Sequence, residues 1–261
     1  MLLAIDVGNT QTHLGVFSGD RLRHEWRAST EPTRTADELA LMFGEFLSLA
    51  EMSFSREITG VAISSVVPKA TQELREMTER YFGFPPVVVE PGTKTGIAIL
   101  TDNPREVGAD RIANAVAAHS MFDGEAAVVV DFGTAITVDA VSGKGEYLGG
   151  AIAPGIDTAA TALFSSTAQI RRVELVAPAT VVGKSTVTSV QSGIIFGTAA
   201  LVDGLVEAVT KELGGSARVV ATGGFAPVVI EHCHNVEDVV PTLTLEGLRL
   251  IYERNADESA S

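Results

Sequence analysis

The chain is a succession of short continuous apolar runs and longer stretches in which apolar residues recur three and four positions apart. Runs of the first kind, bounded by Gly, Asp, Asn or Pro, predict buried strands; stretches of the second kind predict amphipathic helices. LLAIDV (2–7) and THLGVF (12–17) predict two strands joined through GNTQ as a hairpin. TADELALMFGEFLSLAEM (35–52) predicts a helix with Thr33 and Thr35 as candidate N-caps, and EITGVAISSVV (57–67) a strand. KATQELREMTERYFG (69–83) predicts a helix closed by Gly83, PVVVE (86–90) a strand, and EVGADRIANAVAAHSMF (106–122) a loop entering a helix. The plan then repeats. AVVVDFG (127–133) and ITVDAVS (136–142) predict a second hairpin, and EYLGGAIAPG (146–155) a strand running to a helix start. VQSGIIFGTAALVDGLVEAVTKEL (190–213) predicts a long helix, ARVVATGG (217–224) a strand and turn, and LTLEGLRLIYERN (243–255) a last helix. Such alternation predicts an α/β fold.

Each hairpin opens with a strand that ends on a carboxylate, Asp6 or Asp131, followed two residues later by Gly8 or Gly133. A carboxylate at the mouth of a buried strand is costly unless it is paired or bound. Laid over each other at an offset of 125, the segments match Asp6 with Asp131, Gly8 with Gly133, Thr12 with Thr137 and Val16 with Val141. This predicts duplication: two similar α/β domains facing each other across a cleft, residues 1–119 and 120–255, with 256–261 a polar tail. The glycine lets the backbone turn tightly and approach a ligand, while Asn9, Thr10, Thr134 and Ala135 leave amides and hydroxyls beside it. Such a turn can cradle a phosphate, and its Asp can hold a cation directly or through water. An Asp that only caps a hairpin would leave the same local trace.

Composition narrows the function classes. The chain has 261 residues, 46% hydrophobic, enough for one large or two small domains with real cores. Its net charge of −14 argues against a nucleic-acid surface, so an anionic ligand must be held by local devices. No apolar run approaches the ~20 residues that span a bilayer, and no segment reads as a signal peptide. A single cysteine, Cys233, fits a reducing cytoplasm better than a disulfide framework. The expectation is a cytoplasmic protein with neither nucleic-acid nor membrane partners.

Between the hairpins, TDNPREVGADRIANAVAA places Asp110, Arg111 and the amides around Gly108 at the start of an alanine-rich helix, a natural anion site. Arg111 can grip a carboxylate with two parallel hydrogen bonds, and Asp110 can take a proton from a hydroxyl. An N-cap Asp with a surface ion pair is the other reading of the same two residues.

DVGNT and DFGTA together resemble the phosphate-binding signature of the superfamily of acetate and sugar kinases, heat-shock chaperones and actin. With NPREVGADR and GGAIAPG, the chain from Met1 to about Asn255 resembles the type III pantothenate kinases. The resemblance implies two ribonuclease H-like (actin-like ATPase) domains and phosphorylation of the primary hydroxyl of pantothenate by ATP, the first step toward coenzyme A. It implies that Asp6, Val7, Gly8, Asn9, Thr10, Gln11, Thr12, His13 and Thr134 bind ATP, with Mg²⁺ near Asp6, through water or directly. Asp110 is the implied general base, and Gly108, Ala109, Asp110, Arg111 and Thr186 the implied pantothenate contacts. Asp131 is the implied ligand of a monovalent cation, K⁺ or NH₄⁺, and the expected assembly is a homodimer through the apolar helix near 192–209.

Other motifs carry less. VVGKST (181–186) resembles the end of a Walker A loop, but Pro178 stands where the motif needs glycine. HCH (232–234) lacks a second ligand cluster for zinc. ATGGF (221–225) reads either as a plain tight turn or, by resemblance, as a segment near the adenosine. Two positions depart from the family pattern: Thr101 stands for a tyrosine lining the substrate pocket, and His13 for a basic residue. The rival functions are another small-molecule kinase of the superfamily and a non-catalytic ATP-binding regulator.

Overall fold

The computed structural model describes residues 1–167 and 172–256, so residues 257–261 of the expected tail lie outside the described residues. Two compact units are present. One comprises Met1–Ala98, Asp102–Ala117 and the C-terminal segment from Leu243; the other comprises Ile99–Thr101 and Ala118–Thr242. The strands are β1 (Leu2–Val7), β2 (Gln11–Ser18), β3 (Arg21–Ser29), β4 (Gly60–Ser65), β5 (Val87–Val88), β6 (Ala98–Ile99), β7 (Ala127–Phe132), β8 (Ala135–Ser142), β9 (Glu146–Pro154), β10 (Arg218–Thr222) and β11 (Asp238–Val239). The helices are α1 (Ala36–Leu49), α2 (Phe54–Glu57), α3 (Pro68–Met77), α4 (Ala109–Met121), α5 (Ile156–Ser166), α6 (Thr186–Glu212), α7 (Ala226–Val229) and α8 (Leu243–Ala256).

The first unit is built on a sheet of order β3-β2-β1-β4-β5, in which β1 to β3 form an antiparallel meander and β4 runs parallel to β1. One face is large and apolar: Leu3, Ile5, Val7, Leu14, Val16, Val61 and Ile63 pack with Leu39, Phe43 and Leu47 of α1 and Leu74 and Met77 of α3. Thr35 caps α1 in a reciprocal capping box with Glu38, deciding between the two threonines that could start this helix. The other face has a row of small residues, Ala4 between Gly15 and Ala62. That row lets α8 lie close, so a Cβ on Gly15 would stand 2.8 Å from Leu245 Cδ1. Helix α8, grouped by the sequence reading with residues 120–255, packs on β1, β2 and β4 of this first unit. Thr244 donates to Asn114 of α4 at 2.8 Å between two buried side chains.

The second unit carries a sheet of order β11-β10-β7-β8-β9-β6. Without its edge strand β6, this is the strand order of the first sheet, with β8 and β9 antiparallel and β10 parallel to the first strand. Duplication is therefore present in strand order. The constant offset is not. Asp6 pairs with His13, whereas Asp131 pairs with Thr137, because three residues (8–10) join the first hairpin and two (133–134) the second. His13, not Thr12, is the counterpart of Thr137, which corrects the match of Thr12 with Thr137 and of Val16 with Val141.

Strand β3 was not predicted. Its residues RLRHEWRAS lie at a sheet edge and are mostly exposed, so it lacks an apolar run to announce it. Helix α6 begins four residues before the predicted helix, at Thr186, capped by Ser185 in a reciprocal box with Thr188. Inside the second sheet the fully buried Asp139 accepts hydrogen bonds from Tyr147 Oη at 2.7 Å and Thr137 Oγ1 at 3.0 Å.

Candidate functional site

In the first unit, β1 delivers Asp6 half-buried to the strand's C-terminal end, and Gly8 closes the turn by donating its N–H to the Gln11 carbonyl at 3.0 Å. Asn9 and Thr10 are exposed at the tip, while Gln11, Thr12 and His13 already belong to β2. The turn is braced from β3's end: Thr30 N–H donates to the Thr10 carbonyl at 2.9 Å, and the Thr12 and Thr30 hydroxyls lie 2.9 Å apart. His13 is buried, and its Nε2 is 2.9 Å from Glu25 Oε2. Burial pushes the imidazole pKa below its ordinary value, outweighing the opposing pull of the Glu25 hydrogen bond. A neutral imidazole thus flanks Asp6 where a basic residue would carry charge.

The same strand ends receive the Asp110 segment. Val66 N–H, just past β4, donates to the Val7 carbonyl at 3.1 Å. A Cβ on Gly108 would lie 3.7 Å from Val66 Cγ1 and 2.5 Å from Asp110 Oδ1. Asp110 is the second residue of α4, and its Oδ1 accepts from the Arg111 N–H at 2.8 Å. It therefore lies inside the first turn and is not the N-cap. Asp6, Gly8 and the Gly108–Arg111 segment are all in this unit, linked through Val7 and Val66; the carboxyl ends of parallel strands are where α/β sheets bind ligands.

In the second unit, Asp131 is half-buried on β7 and two segments crowd its turn. A Cβ on Gly223 would lie 2.5 Å from Asp131 Oδ1 and 2.5 Å from the Phe132 backbone. Gly155 N–H and Thr158 Oγ1, at the start of α5, both donate to the Thr134 carbonyl, at 3.1 and 2.8 Å. The second glycine turn (221–225) is thus packed on the Asp131 hairpin, a role its two glycines alone did not reveal. Gly155, at the end of GGAIAPG, fits only without a side chain, because its Cβ would run into the Gly133 and Thr134 carbonyls. Thr186 is exposed at the first position of α6, on an open pocket of about 400 Å³ lined by Leu163, Ser189, Val190, Gly193 and Ile194. Thr101 sits near Gly149 with its Oγ1 buried and making no hydrogen bond among the described residues.

The other motifs resolve as structure. Ser185 of GKST is a helix cap, and Lys184 beside it is exposed. His234 is held by Asp203, which also accepts from the His234 and Asn235 amides, and the described residues contain no group of three metal-ligating side chains. Helix α6 is long and apolar enough to cross a membrane by length and composition, which no apolar run in the sequence analysis was expected to be. Only 22% of its most apolar window is buried within the chain, on the side of Ile195, Ala199, Val202 and Val206; Gly193, Gly197, Ala200, Leu201 and Gly204 face outward.

Residues 2–208 match the family profile of type III pantothenate kinase. A type III pantothenate kinase of Parafrankia sp. is 52% identical over 258 residues, covering 98% of this chain and 99% of that one. Among solved structures, a Campylobacter jejuni protein described as a Baf family transcriptional activator has a TM-score of 0.61 at 19% identity, covering 98% of this chain and 99% of that one. A ROK hexokinase of Thermus thermophilus has a TM-score of 0.54 at 15% identity, with 98% and 99% covered. These last two show the fold alone: each unit has the actin-like ATPase fold.

Proposed function

The chain belongs to the type III pantothenate kinase family, and from that membership we infer its activity: it transfers the terminal phosphoryl group of ATP to the primary hydroxyl of pantothenate, opening coenzyme A biosynthesis. The observation that carries this is 52% identity over 98% of the chain, which takes in both hairpins and the Asp110 segment.

Phosphoryl transfer asks the protein for in-line positioning and for neutralisation of charge on the moving group. Asp110 takes the hydroxyl proton as the oxygen attacks phosphorus. Its place in the first turn of α4, beside the ends of β1 and β4, supports that role. Arg111 holds the carboxylate at the far end of pantothenate, so the hydroxyl points at the base. Gly108 and Ala109 let the substrate approach the helix start closely, and Thr186 adds a hydroxyl contact. The turn from Gly8 to Thr10, together with Thr12, His13 and Thr134, holds the phosphates of ATP. Asp6, a single hard carboxylate at a strand mouth, would hold Mg²⁺ directly or through water, and the ion would supply neutralisation of phosphate charge. Asp131, with the same chemistry, fits a monovalent cation, K⁺ or NH₄⁺. The outward small-residue side of α6 suits a homodimer contact, and the protein works in the cytoplasm.

The test is ADP release by the purified protein with ATP and Mg²⁺, with and without pantothenate, in KCl and in NaCl, alongside Asp110→Asn. Pantothenate-dependent turnover that needs K⁺ and falls by about 10²–10⁴ in Asp110→Asn is expected. ATP binding without pantothenate-dependent turnover would sink this reading in favour of a regulator.

A further inference from the structure

Three polar side chains share one face at the ends of three adjacent strands. The register of β1 sets Asp6 opposite His13 on one side and beside Ser64 on the other. Residues directly across neighbouring strands project to the same face, here the one opposite the Ile5 and Val7 core. His13 is engaged by Glu25. Ser64 is not engaged: it is 0% exposed, and its Oγ makes no hydrogen bond among the described residues. A buried hydroxyl without a partner destabilises a fold, and alanine would fill the position as it does two residues earlier at Ala62. The second unit repeats the arrangement. Thr222 of β10, also buried, stands beside Asp131 on the parallel strand. Each half thus sets a buried hydroxyl next to its hairpin carboxylate.

We propose that Ser64 is a positioning residue of the phosphate site, whose hydroxyl hydrogen-bonds a water in the shell of the divalent cation that ATP brings to Asp6. This rests on the assignment of Asp6 to the Mg²⁺–phosphate site above. The hydroxyl then has a role only in the nucleotide complex, and its burial is a standing liability of the free protein. Removing it should move stability and binding in opposite directions, a signature that a purely structural serine does not give.

Wild type, Ser64→Ala and Asp6→Asn would be melted without nucleotide, then titrated calorimetrically with Mg·ATP and with ATP in EDTA. Ser64→Ala is expected to melt at the wild-type temperature or up to about 4 °C higher. Its Mg·ATP affinity should be about tenfold weaker, with affinity for metal-free ATP unchanged. A lower melting temperature would show that the hydroxyl is paired in the free fold and overturn the proposal, as would unchanged Mg·ATP affinity. If Asp6→Asn binds Mg·ATP like wild type, the Asp6 assignment itself fails and the role of Ser64 fails with it. If Asp6→Asn loses Mg·ATP binding while Ser64→Ala does not, only the Ser64 proposal is lost.

Discussion

Gly223→Ala tests whether the second glycine turn is a fitted part of the Asp131 hairpin or an ordinary bend. Two penalties are expected. Gly223 has φ +98°, a conformation that L side chains rarely adopt, and the added Cβ would sit 2.5 Å from Asp131 Oδ1 and from the Phe132 backbone. The first term is worth about 1–2 kcal/mol. The second is an overpacking clash against main chain that cannot rotate away, worth about 1–3 kcal/mol more. Gly214 isolates the second term. It has the same φ of +98° and nothing within 4 Å of its Cβ. Gly214→Ala should therefore lose only the backbone term.

The assay is urea unfolding of the two variants side by side, with the K⁺ dependence of turnover measured on each. Gly223→Ala should be less stable than Gly214→Ala by about 1–3 kcal/mol. If Asp131 holds the monovalent cation, Gly223→Ala should also need several-fold more K⁺ for half-activation, because the methyl displaces the carboxylate. Gly214→Ala should keep the wild-type requirement. Equal stability of the two variants would refute the close approach. A large stability loss with an unaltered K⁺ requirement would leave the packing argument standing and remove Asp131 from the cation site.

Other expectations follow from single contacts. Tyr147→Phe strips the buried Asp139 carboxylate of one donor and should cost about 1–3 kcal/mol in unfolding free energy. If Arg111 holds the pantothenate carboxylate, Arg111→Lys keeps the charge but loses the two-pronged grip, and KM for pantothenate should rise at least tenfold while KM for ATP stays within about twofold. Cys233 is half-buried with its thiol pushed up to about 11 by burial, so iodoacetamide at pH 8 should label it about two orders of magnitude more slowly than a free thiol. His13 has its pKa held below the ordinary value, so on acidification the unfolded chain takes up this proton first. Its stabilising contribution is present above about pH 6.5 and declines as pH falls, by at most about 1.4 kcal/mol per pH unit. His13→Gln should flatten the stability profile between pH 7 and pH 5. Leu201→Glu on the outward side of α6 should lower the sedimenting mass if that surface joins two copies.

What the sequence made legible was what repetition and burial enforce. Strands β1, β2, β4, β7 and β8 are buried on at least one face and announce themselves as apolar runs; β3 is not, and stayed hidden. Asp6 and Asp131 stood out because a carboxylate ending an apolar run is energetically odd in a way that a polar turn is not. The residues that complete each turn were harder to read, because their meaning lies in contacts far along the chain. Gly155 and Gly223 look like any glycines until their missing Cβ atoms are set against the Gly133, Thr134 and Phe132 backbones. The one-residue difference between the hairpins shows the same limit at finer grain. A constant offset followed the match through Gly8 and Gly133, where both chains must turn tightly. It then ran on past the turn, where only strand pairing fixes which residue stands beside the carboxylate. Pairing puts an imidazole beside Asp6 and a threonine hydroxyl beside Asp131. The two halves share a strand order while their carboxylates keep different neighbours, because the pairing register, and not the distance along the chain, decides what stands beside each.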